Sequence, residues 1–127
     1  MLIVEDNPHV IDMYRYVVKK VATVDFEGKI PIDVDLAPDG FGAMDALMKR
    51  QFQLVLTDLY MPVMDGFALV KKIRLEPRLA GTRVLAISGG AREAGEQAMA
   101  LGADAFLRKP VQFDALYRAL KKLLQAQ

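Results

Sequence analysis

Residues 54–73 read LVLTDLYMPVMDGFALVKKI. The stretch begins as a solid apolar run at 54–56 and breaks at Asp58. It passes through Met61-Pro62 and Asp65-Gly66, then resumes as a helical stripe on Leu69, Val70 and Ile73. The first part has the pattern of a strand buried on both faces, the second that of a helix packing one face. The same change of period recurs along the chain. Runs at 2–4 and 84–87 are as solidly apolar as 54–56. Residues 32–36 instead alternate Ile32, Val34 and Leu36 with Asp33 and Asp35, so one face must meet water, as on an edge strand. Residues 103–107 carry Asp104 and suit the opposite edge.

Helical stripes separate these runs. Val10, Met13, Tyr14, Val17, Val18 and Val21 follow an Asn7 cap and Pro8 at the first helical position. Met44, Leu47 and Met48 mark a second helix, and the stripe on Leu69 a third. Ala91, Ala94, Ala98 and Leu101 make a fourth, thin in bulk, interrupted by Gly95 and stopped by Gly102. Phe113, Leu116, Tyr117, Leu120, Leu123 and Leu124 make the fifth. Strand then helix, five times over, predicts an α/β fold: a three-layer α/β/α, doubly wound (βα)5 arrangement on a five-stranded parallel sheet. With 32–36 and 103–107 outermost, the strand order is 2-1-3-4-5, as in flavodoxin-like folds, and the ligand crevice lies beyond the carboxyl ends of the first and third strands.

Composition bounds the rest. At 127 residues and 53% hydrophobic, the chain fits one domain over 1–127. Cys is absent, which excludes disulfides, thiolate metal sites and a cysteine nucleophile. A net charge of +1 argues against direct nucleic-acid binding. No apolar run exceeds about four residues, too short for a membrane span, and Glu5-Asp6 interrupt any signal-like start. A cytoplasmic domain is the expectation.

At the predicted strand ends stand Glu5 and Asp6, Asp58, Ser88 and Lys109. Three carboxylates in one crevice repel; at about 4 Å each pair costs on the order of 4 kcal/mol at an effective dielectric of 20. Such a cluster calls for a cation, and an all-oxygen set suits Mg²⁺. Lys109 and Ser88 offer a charge and a hydroxyl to phosphoryl oxygens. Asp58 then reads as an acceptor nucleophile. Taken singly, each residue could be a cap, a turn or a solvated side chain; their joint placement carries the reading.

LIVEDNP (2–8), VLTDLYMPVMDGF (55–67), VLAISGGA (84–91) and GADAFLRKP (102–110) together resemble the receiver domain of two-component response regulators. The resemblance covers nearly the whole chain in order, with 30 positions from Asp58 to Ser88 and 21 from Ser88 to Lys109. It implies that Asp58 is the phosphoacceptor, charged by a histidine kinase or a histidine phosphotransfer protein. It implies Mg²⁺ (or Mn²⁺) on Asp6, Asp58 and the Tyr60 backbone carbonyl, with Glu5 acting through water. Ser88 and Phe106 become the switch pair, Lys109 the phosphoryl-binding cation, and Lys109-Pro110 a cis peptide. Met61, Pro62, Gly66 and Pro110 become pocket scaffold. The output surface is the face of the fourth helix, fifth strand and fifth helix, serving a downstream domain or protein and a possible homodimer. The domain is expected to be no enzyme in its own right, beyond self-dephosphorylation.

Two departures stand out. Residues 21–31, with DFEGK as their turn, are longer than the family's usual connection, and the first strand starts almost at Met1, as in a piece of a larger regulator or hybrid kinase. Other readings stay open. An aspartate-nucleophile phosphatase would want an acid/base Asp where Tyr60 stands. A flavin module would want a Gly- and hydroxyl-rich loop in place of Glu5-Asp6. A receiver-like module that only binds partners would not need the full acidic set.

Overall fold

The computed structural model describes residues 1–24, 32–61, 64–90 and 92–125. Its elements are β1 Leu2–Val4, α1 Pro8–Val24, β2 Asp35–Ala37, α2 Gly40–Lys49, β3 Leu54–Asp58, α3 Gly66–Leu75, β4 Arg83–Ser88, α4 Arg92–Leu101, β5 Ala105–Arg108 and α5 Phe113–Gln125, with one 3-10 turn at Pro77–Leu79. All strand pairs are parallel and the order is β2-β1-β3-β4-β5. This is the expected doubly wound architecture.

Because alternate strand residues point to opposite faces, the sheet divides its apolar side chains between two cores. Leu2, Val4, Val55, Val84 and Ala86 face α2, α3 and α4. Ile3, Leu54, Leu56, Leu85 and Ile87 face α1 and α5, against Tyr14, Val17, Val21, Leu116 and Leu120. Local chemistry sets the helix starts. Asn7 Oδ1 accepts from the His9 and Val10 amides at 2.9 and 3.4 Å, Asp39 caps α2 at Gly42 N, and Asp65 caps α3 at Ala68 N. Gly102, at φ 115°, ends α4 in the left-handed region.

The edge strands differ from the sequence expectation. β2 spans Asp35–Ala37 instead of 32–36, because the short β1 offers only three partners, Leu2 to Val4. Ile32 and Val34 precede the ladder yet still pack on the α1/α5 core. Leu36 is 42% exposed while Ala37 is buried, so the apolar alternation does not hold to its end. β5 begins at Ala105, two residues late, although the amide of Asp104 just before it donates to Val84 O at 2.8 Å, and the Asp104 side chain serves as an anchor. Its Oδ2 takes the Val84 amide at 2.7 Å and an Arg74 guanidinium N–H at 2.8 Å. Phe113, read as part of the α5 stripe, is 39% exposed. The DFEGK turn, Pro62 and Ala91 lie outside the described residues.

Candidate functional site

Parallel strands bring their carboxyl ends to one side of the sheet, and there Glu5, Asp58, Ser88 and Lys109 gather. Asp58 is the last residue of β3, its side chain only 12% exposed. Its Oδ1 accepts from the Tyr60 amide at 3.1 Å, and its Oδ2 meets Lys109 Nζ at 2.5 Å. The backbone secures this pairing: Leu59 N donates to Ile87 O at 2.9 Å and Lys109 N to Ser88 O at 3.0 Å. Thus β3, β4 and the turn after β5 are tied together at Ser88 and Lys109 themselves and one residue beyond Asp58. The Lys109-Pro110 bond is cis, as the resemblance implied.

Gly66 explains how α3 begins so near Asp58. A Cβ there would overlap the Asp58 carbonyl oxygen and lie 2.6 Å from Leu59 Cα. Only glycine permits that approach, and Gly66 N then donates to Leu59 O at 2.8 Å. Ser88 is fully buried, and its Oγ accepts from the Gly90 amide at 2.9 Å. Phe106 stands apart from the acidic end: its ring lies on Gly95 of α4, where a Cβ would be 2.5 Å from ring Cδ1. It lines a groove of about 730 Å³ with Arg92, Gly95, Glu96, Met99 and Arg108.

The acidic pair after β1 is arranged less tightly than the sequence suggested. Glu5 Oε2 accepts from the Asp6 and Asn7 amides at 3.0 and 3.1 Å, and Asp6 is exposed. Among the described residues, no three Asp, Glu or His side chains form a ready ligand cluster. Glu5 and Asp58 nevertheless share one negative region. The phenol of Tyr14, buried beneath them on α1, has its pKa pushed up by burial first and then by the carboxylates of Glu5 and Asp58. The donors are all hard oxygens and suit a divalent cation such as Mg²⁺ in kind.

Two features were not legible in the chain. The Tyr60 ring, 58% exposed, lies over Gly90 and meets the Phe67 ring edge-on, with centroids 5.7 Å apart. Tyr14 read as one more core position; a phenol within an otherwise aliphatic stripe was its only signal.

The family described as response regulator receiver domain matches residues 1–121. Response regulator Rre1 of Synechocystis sp. is 31% identical over the whole of this chain, which spans 52% of that protein. The autoinducer 2 sensor kinase/phosphatase LuxQ of Vibrio parahaemolyticus is 32% identical over 94% of the chain, which spans 13% of it. The receiver domain of sensor histidine kinase PA1611 from Pseudomonas aeruginosa superposes with a TM-score of 0.80 at 22% identity, covering 98% of this chain and 95% of that one; that structure has a magnesium ion in its active-site cleft. With the parallel order 2-1-3-4-5 and its strand-end chemistry, the chain belongs to the response regulator receiver domains, the phosphoacceptors of two-component signalling.

Proposed function

We propose that Asp58 is the residue that accepts the phosphoryl group. The observation that carries this is the Lys109 ammonium 2.5 Å from a carboxylate only 12% exposed, at the carboxyl end of a central strand. A carboxylate oxygen attacks phosphorus, the donor's P–N or P–O bond breaks, and an acyl phosphate forms on Asp58. Lys109 then balances the charge that arrives, and the Ser88 hydroxyl lies within the same group of strand ends. Glu5, Asp6, Asp58 and the Tyr60 carbonyl would hold Mg²⁺ or Mn²⁺, Glu5 through water. The cation supplies neutralisation of the carboxylates and of the phosphoryl oxygens. Gly66, Pro110 and Pro62 serve as scaffold.

In this reading the donor is a histidine kinase or histidine phosphotransfer protein, and an output domain or protein reads the α4–β5–α5 face, which also offers a homodimer contact. Residues 1–127 act as one cytoplasmic receiver, a phosphoacceptor with no enzyme activity beyond losing its own phosphoryl group. Among the described residues no helix is long and apolar enough to cross a membrane. The phosphatase reading is weaker because Tyr60 stands where its acid/base Asp is needed.

Acetyl phosphate with Mg²⁺, followed by intact mass, tests the proposal. The wild type gains one phosphoryl mass and Asp58→Asn gains none. Continued labelling of Asp58→Asn moves the acceptor elsewhere; an unlabelled wild type favours a partner-binding module without phosphorylation.

A further inference from the structure

Tyr14 of α1 carries a polar group that its packing does not use. The residue is 4% exposed, and its ring belongs to the core that α1 and α5 close beneath the sheet, among Ile3, Val17, Leu56 and Leu116. Among the described residues, the other buried hydroxyls all have partners. Ser88 Oγ accepts the Gly90 amide at 2.9 Å, Thr57 Oγ1 donates to Asp58 O at 3.0 Å, and Thr82 Oγ1 donates to Phe52 O at 3.4 Å. The Tyr14 hydroxyl has no hydrogen-bond partner among the described residues. A leucine would fill an aliphatic core without that cost, whereas a buried donor left without an acceptor is expensive.

An acceptor stands at the acidic end of the sheet. The carboxylates whose charge reaches the phenol are Glu5 first and Asp58 second. Their oxygens differ in what they already hold. Asp58 Oδ1 takes the Tyr60 amide and Oδ2 the Lys109 ammonium. Glu5 Oε2 takes the Asp6 and Asn7 amides, which leaves Glu5 Oε1 without a donor among the described residues. A phenol is neutral at pH 7 and donates, while a carboxylate only accepts, so the two free groups are complementary. They do not touch directly, and one bridging water joins a donor and an acceptor so placed.

We propose that Tyr14 is a positioning residue of the acidic site: its hydroxyl donates through a buried water to Glu5 Oε1 and fixes the carboxylate that meets a divalent cation. The proposal rests on the reading of Glu5, Asp6 and Asp58 as the Mg²⁺ site. Two backbone amides hold one oxygen of Glu5, and a donor on the other keeps the carboxylate from swinging away. Hydrogen bonds of this kind orient metal-facing side chains, and their loss lowers metal affinity tenfold or more. The hydroxyl reaches the site from the core, so the packing of α1 sets the orientation of Glu5.

Mg²⁺ alone, titrated into the isotope-labelled full chain and followed at the amides of residues 5, 6 and 58–60, tests this. Tyr14→Phe keeps the ring in the core and should bind Mg²⁺ about tenfold more weakly with an unchanged urea midpoint. Tyr14→Leu, also apolar, should weaken Mg²⁺ binding likewise. Glu5→Ala should weaken it too, and the double variant Glu5→Ala with Tyr14→Phe should be no weaker than Glu5→Ala alone, since the hydroxyl acts through Glu5. Asp58→Asn should abolish the Mg²⁺ shifts. If the wild type binds Mg²⁺ and Asp58→Asn does not, then unchanged affinity in Tyr14→Phe, or effects of Tyr14→Phe and Glu5→Ala that simply add, overturns the role of Tyr14 alone. A fall in affinity matched by a fall in the urea midpoint also overturns it and leaves Tyr14 a core residue. If the wild type does not bind Mg²⁺, or Asp58→Asn binds it equally well, the reading of the acidic site fails and the proposal falls with it.

Discussion

Tyr60 stands two residues after Asp58, in the loop that follows β3. Its ring rests on Gly90, and a Cβ at that position would stand 2.6 Å from ring Cε2. Gly90 stands two residues after Ser88, so the contact is a matter of two loops meeting. In the proposed phosphoacceptor role of Asp58, loss of the phosphoryl group needs a water in line with the Asp58–phosphorus bond, an approach the Tyr60 ring is expected to border. Tyr60→Asn is therefore expected to release phosphate up to about tenfold faster, equivalent to about 1.4 kcal/mol of barrier. Gly90→Ala should move the rate the same way, because the added methyl displaces the ring. Phosphate-release rates of the three proteins check this, and equal rates would leave Tyr60 with its backbone role alone.

Helix α4 is anchored at its C-terminal end and thinly packed along its length. At its C-terminal end the Arg74 guanidinium donates to Gly102 O at 2.8 Å, to Thr82 O at 2.7 Å and to Asp104 Oδ2 at 2.8 Å, joining α3, β4, α4 and β5. A Cβ at Gly102 would lie 2.6 Å from Arg74 Cγ, so both the turn and the clamp require glycine there. Along its length α4 buries only Ala94, Gly95 and Ala98. Arg74→Met should cost about 2 kcal/mol, since two carbonyls and a half-buried carboxylate lose a charged donor while Asp104 keeps the Val84 amide. A urea midpoint shift measures it; a shift equivalent to less than about 0.5 kcal/mol would reduce the clamp to a surface ion pair. Asp104 was legible as a charge in an apolar run, but its partner lies 30 residues away.

Over the whole molecule, the Arg74 anchor lies next to the thinly packed α4. Phosphorylation is expected to change amide exchange in α4, β5 and α5, through Ser88 and the Phe106 ring on Gly95, and to leave Arg74 and its partners protected. Changes confined to α1–α3 would contradict that route. A second whole-molecule property comes from Tyr14. Its pKa is raised in the fold above the ordinary 10, so its contribution to stability is intact below pH 10 and is lost as pH climbs further. Tyr14→Phe should match the wild type at neutral pH and unfold less readily in alkali. Equal alkaline melting curves would remove the phenol from the account.

By itself the sequence determined the five strand–helix units, the two outer strands, the cap at Asn7, the Asp65-Gly66 opening of the third helix, and the acidic, hydroxyl and cationic residues at strand ends. These are local properties: periodicity, capping chemistry and glycine placement are written within a few residues of where they act. Tertiary structure alone decided what those residues touch. Lys109 reaches Asp58 across 51 positions, Tyr60 covers Gly90, Phe106 fills the space left by Gly95, and Tyr16 stacks on Phe113 from another helix. It also shortened β2, because a strand extends only as far as its neighbour offers partners. Contacts between distant segments depend on how two cores close over one sheet, and no window of the chain contains both sides of such a contact.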